Sequence, residues 1–326
     1  MTLSDPVAWF DSSRRLYELT GEGPLAGLRV EAWSQREALS EPGELHISCL
    51  AQRADLDIED MLGRRVDLLT TQADGGRCVR GGIVMAAQAQ DGDGGFARYS
   101  LEVRPWIALL AYTRRSQVWQ ERCLRQIVDA VFAGYPAYAA WRWAADVDAH
   151  LAASAFTGTD GVRSYCVQYR ETDLAFVQRL LAEEGLAWRI EPDDAAPLGH
   201  ALVIFADSAQ AESCPEDTVS AASGGVRFHR EAPVEEQDSI QAFGGLRTLQ
   251  STTVATLAWD YKAHRSVVAS VPTAFAFGGG SSGALVDLLE SYQPTRPTTT
   301  AAAFAVWASS CAPMPGAPSG RPRASC

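Results

Sequence analysis

Between Arg15 and about Arg104 the chain is written in short runs of alternating apolar and polar residues. Leu28, Val30 and Ala32 alternate, then Leu45, Ile47 and Cys49, then Val66 and Leu68. A period of two places successive side chains on opposite faces of an extended backbone, so each run predicts a strand with one buried face. Gly21-Glu22-Gly23-Pro24, Pro42-Gly43 and Gly75-Gly76 separate the runs and supply turn chemistry. Ala87 to Ser100 reads as a hairpin whose turn is Asp91-Gly92-Asp93-Gly94-Gly95. Several short strands at regular spacing predict a closed barrel or sandwich rather than a doubly wound sheet.

The period then changes. Cys123, Leu124, Ile127, Val128, Val131 and Phe132 form one apolar face of a helix that starts anywhere between Gln120 and Cys123. From Gly134 to Thr159 aromatic and Ala-rich segments alternate without a clear period. Tyr165, Val167 and Tyr169 resume the strand alternation. Thr172 or Asp173 then opens a helix by accepting from its free N–H groups, with Leu174, Val177, Leu180 and Leu181 on one face. Gly185 suits the left-handed residue that ends it, and Leu186, Trp188 and Ile190 alternate again. Leu202 to Ala206 is a continuous apolar run, the mark of a buried strand, and it ends at Asp207-Ser208. Weaker strand signals follow at Val226 and Phe228, at Ile240, Ala242 and Phe243, and at Val254 and Leu257. Past Pro297 the chain is rich in Thr, Ala, Ser, Pro, Gly and Arg without periodicity, the composition of a disordered segment.

These signals predict a mainly β fold with some α (α+β): two β-barrel-like domains with a helical connection. The expected parts are an N-terminal tail over 1–12, a first barrel over 13–110 and a helical connecting segment over 111–164. A second barrel over 165–270 carries the helix 172–184, and a linker and disordered tail fill 271–326.

Composition narrows the function classes. The 326 residues carry a net charge of −12, which argues against nucleic acid and anionic membrane as partners, since both need a basic surface. Cys49, Cys78, Cys123, Cys166, Cys214, Cys311 and Cys326 include no C-x-x-C pair and fit free thiols in a reducing compartment. Met1 to Ser13 lacks the basic start and apolar core of a signal peptide, and no apolar stretch approaches the roughly 20 residues of a membrane span. The expectation is a protein made and folded in the cytoplasm, with any export by a route that needs no cleaved signal.

Candidate chemistry is thin. Gly279-Gly280-Ser281-Ser282-Gly283 matches the G-x-S-x-G nucleophile elbow, but that arrangement takes its histidine downstream and none follows His264, so a glycine-rich link is the better reading. Asp91 to Gly95 with Glu102 mimics a calcium loop, yet Phe96 stands where the loop needs Gly. His46, His150, His200, His229 and His264 share no metal spacing. Glu183-Glu184 and Asp57-Ile58-Glu59-Asp60 read as solvated surface rather than paired catalytic acids, because side chains one apart diverge. No catalytic, cofactor-binding or metal-binding residue is assigned.

The stretch Tyr165 to Trp188 resembles the signature of the VgrG family of type VI secretion spike proteins, "Y-x-V-Q-Y-x-E-T-D-x-x-F-V-x-R-L-L-E-x-E-G-I-x-Y". Other pieces are similar to the same family: Glu37-Ala38-Leu39-Ser40, Met61 to Val66, Arg80 to Val84, Trp259-Asp260-Tyr261, and Ser291 to Thr295. Val103 to Leu110 followed by Ser116 to Gln120 resembles "L-x-P-W-L-x-x-L…S-R-x-F-Q", with Gln117 for Arg and Trp119 for Phe. The resemblance covers about Arg15 to Thr295.

It implies a hub like that of the contractile-phage baseplate. Three chains would make a pseudo-sixfold ring that sits on the Hcp tube, contacts other type VI baseplate components and carries effector cargo. Such a protein would be cytoplasmic before firing and secreted by the type VI system. The family would continue into a further barrel and a β-helix needle, so the tail composition reads as a truncated or frameshifted spike. Two rivals stand beside this reading: a secreted serine hydrolase using Ser281, and a carbohydrate- or envelope-binding β module. The second would place Trp33, Trp106, Trp119, Trp141, Trp143, Trp188 and Trp259 on one exposed face.

Overall fold

The computed structural model describes residues 16–71, 76–93, 95–152 and 161–209, and beyond them 225, 227–228, 239–240, 244, 251–260, 264–272 and 290–294. The expected turn residue Gly94, the Ser281 link and the tail from 298 onward lie outside the described residues.

The alternating runs of the first hundred residues become one antiparallel sheet. Its strands are β1 (Tyr17–Gly21), β2 (Arg29–Arg36), β3 (Glu44–Ala51), β4 (Arg65–Thr71), β5 (Arg77–Asp93) and β6 (Phe96–Arg104). They are ordered β1-β4-β5-β6-β3-β2. Alternation is strict where one face is buried: in β6, Ala97, Tyr99, Leu101 and Val103 point inward. Leu45, Ile47, Cys49 and Ala51 do the same in β3. The register slips between Val30 and Ala32 and between Val84 and Ala86, bulges of the kind that bend strands into a curled sheet. The 3₁₀ turn Gly23–Gly27 places Leu25, fully buried, under the sheet. Burial of Leu or Ile side chains of this kind contributes about 1.5–3 kcal/mol each.

Next, a 3₁₀ turn over Trp106–Tyr112 leads into β7 (Arg114–Arg122) and α1 (Leu124–Phe132). Leu124, Ile127, Val128, Val131 and Phe132 all bury, as their spacing predicts, while Cys123 is the N-cap and its N–H donates to Gln126 Oε1 at 3.1 Å. The connection expected to be helical therefore also contains β7, the short β8 (Trp141–Trp143) and α2 (Asp146–Ala152). The signature follows as β9 (Arg163–Thr172), α3 (Asp173–Glu183) and β10 (Ala187–Pro192). β11 (His200–Phe205) is buried at every position, lying between antiparallel β10 and parallel β8. Small sheets end the described chain: β12 (Arg227–Phe228) beside β13 (Ser239–Ile240), and β14 (Thr253–Asp260) between β15 (Arg265–Pro272) and β16 (Glu290–Pro294). No helix among the described residues is long and apolar enough to cross a membrane.

Two hydrophobic cores result, and they share a wall. Val84 of β5 points into the core of the curled sheet, while its neighbour Ile83 points the other way, toward Trp106, α1, α3, Trp188 and β11. Gly82 makes this possible: a side chain there would begin 2.5 Å from the Arg104 carbonyl oxygen, so only glycine lets β5 lie this close to β6.

Candidate assembly surface

β7 and β9 form a two-stranded antiparallel ribbon, with Val118 opposite Val167 and Gln120 opposite Tyr165. Its two faces reverse the usual sorting. Facing inward from β9 are Cys166 and Gln168, the latter with no exposed surface, while Tyr165 and Tyr169 are 56% and 58% exposed. The alternation of apolar residues in the sequence thus marks the outer face of this strand.

A set of partners centred on Asp173 holds the inner polar residues, with only Gln168 Oε1 among them left without one. Thr172 caps α3, its hydroxyl accepting from Ala175 N–H at 3.1 Å. Asp173, 1% exposed, accepts from Gln168 Nε2 at 2.8 Å and from Tyr135 Oη at 2.8 Å, and pairs with Arg115 at 3.1 Å. A carboxylate in the first turn of a helix also meets the positive end of its dipole. Burial first, then the neighbouring carboxylate, raises the Tyr135 hydroxyl above its ordinary pKa, although a hydrogen bond with Thr113 pulls the other way.

The other end of α3 is tied down by charge. Arg163 bridges Glu183 and Glu184, and the Glu184 side chain has no exposed surface. Arg179 joins Glu183 to Glu171 and donates to the Val167 carbonyl at 3.0 Å. Burial disfavours the Arg163 charge, but the two carboxylates outweigh it and its pKa lies above the usual range. Glu184 is therefore a correction to the expected solvated pair, while the Glu183 side chain stays 33% exposed. One guanidinium fork reaches both.

Outside, the ribbon offers an apolar strip with an open edge. Val118, 49% exposed, stands opposite Val167, between Tyr165 and Tyr169 on the same face, and Tyr112 at the end of the preceding 3₁₀ turn is 75% exposed. β7 pairs with β9 alone among the described strands, and among the described residues its other edge has no strand beside it. Arg170 takes a left-handed φ of 51° and donates its N–H to Ser116 Oγ at 3.2 Å, which closes a bulge between Arg115 and Gln117.

The remaining candidates are placed as follows. Asp57 Oδ1 accepts from Glu59 and Asp60 N–H at 2.9 and 3.3 Å, which caps a 3₁₀ turn, and Asp60 pairs with Arg64. Glu102 pairs with Arg104 at 2.6 Å rather than facing a loop cavity. His46 and His264 are exposed, His150 contacts the Glu184 carbonyl, His200 is buried, and His229 lies outside the described residues. Among the described residues no group of three or more His, Cys, Asp and Glu is placed to hold a metal ion. A cleft of about 270 Å³ is lined by Ala139, Ala140, Trp141, Arg142, Asp193 and Ala201, with no nucleophile among them.

The described tryptophans do not share an exposed face. Trp106 and Trp188 are fully buried, Trp119, Trp141 and Trp143 pack against the same core, and Trp33 packs against the other. Trp141 and Trp143 both donate their indole N–H to Asp129 Oδ1, at 2.6 and 2.9 Å. The side chain of Trp259 is outside the described set. The candidate surface that sequence reading missed is the strip of Val118, Tyr165 and Tyr169. The alternation alone gives no signal for it, because only the partners of Gln168 show which face turns inward.

Comparison with known proteins agrees with this picture. A family described as the phage tail baseplate hub (GPD) matches residues 36–303. The type VI secretion system spike protein VgrG4b of Pseudomonas aeruginosa is 31% identical over 197 residues, 59% of this chain and 22% of that protein. VgrG1b of the same organism is 30% identical over 159 residues, 49% of this chain and 20% of that protein. The chain thus spans about a fifth of the length of these relatives. Among solved structures, the 43 kDa tail protein of prophage MuSo2 from Shewanella oneidensis is similar at 14% identity and a TM-score of 0.49, over 89% of this chain and 76% of that one. With a match that runs through both cores and the whole signature, the chain belongs to the phage tail baseplate hub (GPD) family.

Proposed function

We propose that this chain is the hub part of a type VI secretion spike, working by assembly rather than catalysis. Three copies would close a ring that seats on the Hcp tube, engages the baseplate and helps deliver effectors. The protein would wait in the cytoplasm and leave the cell only when the system fires. The observation that carries the reading is the outward apolar strip on the β7–β9 ribbon, built from the signature itself and backed by a rigid polar interior. An exposed aromatic and aliphatic patch beside an open strand edge is what a protein–protein contact uses.

The hydrolase alternative needs a base for Ser281, and the sequence supplies no histidine after it. The carbohydrate-binding alternative needs exposed indoles, and those of the described tryptophans are buried or packed. Light scattering of the chain, alone and mixed with the tube protein, tests the proposal. The expected result is a trimer mass that shifts on adding tube protein, and loss of both after Tyr165→Glu with Tyr169→Glu. A monomer at high micromolar concentration that ignores the tube protein would overturn it.

A further inference from the structure

His200 is 4% exposed and stands where the turn between β10 and β11 meets the six-stranded sheet. The Trp106 N–H lies 3.2 Å from its Nε2, and a backbone N–H can only donate. Nε2 must therefore carry a lone pair. Nδ1 lies 3.1 Å from the Leu198 carbonyl, which can only accept, so Nδ1 carries the proton. Both ring nitrogens are used, and only the neutral ring with its proton on Nδ1 satisfies both neighbours. A second proton on Nε2 would set N–H against N–H with no acceptor between them.

The contact lies at the edge of the core that holds Trp106, Leu198 and Leu202, where the turn meets the six-stranded sheet. Trp106 opens the 3₁₀ turn after β6, and its ring meets Phe132 of α1 edge to face at 5.0 Å. On the other side, Arg65 of β4 donates from Nη1 to the Pro197 carbonyl at 2.8 Å. Gly199 has a left-handed φ of 70°, and a side chain on Gly81 of β5 would begin 3.0 Å from the Leu198 carbonyl oxygen. The 193–199 turn therefore lies flat on β4 and β5, with His200 as its inner pin.

The charges around the ring are few. Arg65 opposes a proton on His200, and Asp67 on the same strand favours one but is held by Arg65 at 2.9 Å. Arg104, two residues before Trp106, is engaged by Glu44 and Glu102. Asp193 in the turn accepts from Ala195 N–H at 3.0 Å. Burial is the largest influence and pushes the His200 pKa below its ordinary value, against the Leu198 carbonyl.

We propose that His200 is an acid-operated latch that locks the 193–199 turn to the Trp106 segment when neutral and releases both when protonated. The latch rests on the geometry of the ring and not on the hub reading. Its sign follows from linkage. The opened form takes up a proton at about pH 6.5, while the closed form resists it. Closure is thus at full strength above that pH and weakens as pH falls through it, by at most about tenfold per pH unit, until the closed form itself titrates.

Hydrogen exchange of individual backbone amides, corrected for the intrinsic effect of pH on exchange, reads this directly. Between pH 7.5 and pH 5 the opening of the Trp106 amide should rise by up to about thirtyfold, while amides in the middle of β3 and β6 hold steady. His200→Gln, whose amide oxygen can still accept from Trp106, should abolish that pH dependence. Should the variant fail to fold, ¹⁵N spectra of the wild-type ring still decide: they should show the proton on Nδ1 at pH 6 and a titration below the ordinary histidine range. Trp106 protection that does not change with pH, an equal loss across all strands, or a ring already doubly protonated at pH 6 would each overturn the latch.

Discussion

The six-stranded sheet and the β7–β9 ribbon are both antiparallel, yet they sort their side chains in opposite senses. In β6 the buried set is Ala97, Tyr99, Leu101 and Val103, and the outward set includes Arg98, Glu102 and Arg104. In β9 the inward residues include Gln168 and the outward ones Tyr165 and Tyr169. The sheet needs no partner beyond its own core. The inner face of the ribbon includes Gln168, whose Nε2 is held by Asp173 while its Oε1 has no partner, and the apolar rings of Tyr165 and Tyr169 are left outside. Burial of hydrogen-bonded polar groups costs little, whereas exposed rings in a strip gain most when a second surface covers them.

Core truncation in the sheet should give the largest effect. Leu101→Ala removes a side chain with no exposed surface from the middle of β6 and should lower stability by about 2–5 kcal/mol. Urea unfolding followed by far-UV circular dichroism measures it, and a loss under about 1 kcal/mol would mean that the sheet core is not packed as described. The polar interior of the ribbon comes next. Asp173→Ala leaves the Gln168 amide, the Tyr135 hydroxyl and the Arg115 guanidinium without their shared acceptor, for an expected cost of about 2–3 kcal/mol. Asp173→Asn keeps the shape and one acceptor, so it should cost less. Equal losses for the two would show that the charge, not the hydrogen-bond set, matters.

The contrast also explains what the sequence made legible. Strands β3, β4 and β6 and helices α1 and α3 are legible from periodicity, because each buries one continuous apolar face, whereas β2 buries only Val30 and the bulge after it leaves Ala32 exposed. The cap was narrowed to Thr172 or Asp173, and the structure uses both: one hydroxyl for the helix end, one carboxylate for the interior. Strand β7 gave no period-two signal, since Trp119 is its only partly buried residue and the ladder with β9 is what makes it extended. β8 and α2 were hidden for a related reason, being short and held by tertiary contacts such as the Asp129 acceptor for two indoles. The face of β9 was not legible from the alternation itself. Period two says that two faces differ, and only the partners of Gln168 say which one is inside.

The smallest expected effect is the sharpest test of the contrast. Tyr165→Ser with Tyr169→Ser removes two rings that are more than half exposed and touch no core. Were the ribbon sorted like the sheet, losing two large aromatic side chains would cost several kcal/mol. With the observed sorting, stability measured on dilute, unassembled chain should change by no more than about 0.5 kcal/mol, the usual range for surface positions. Arg170 stacks on Tyr169 at 5.4 Å from the ring centre, and an exposed contact of that kind contributes at most about 0.5–1 kcal/mol, which sets the upper edge of the expected loss. A larger drop in the urea midpoint of the dilute protein would mean that the rings belong to a core after all, and that the outward strip is not free to meet a partner.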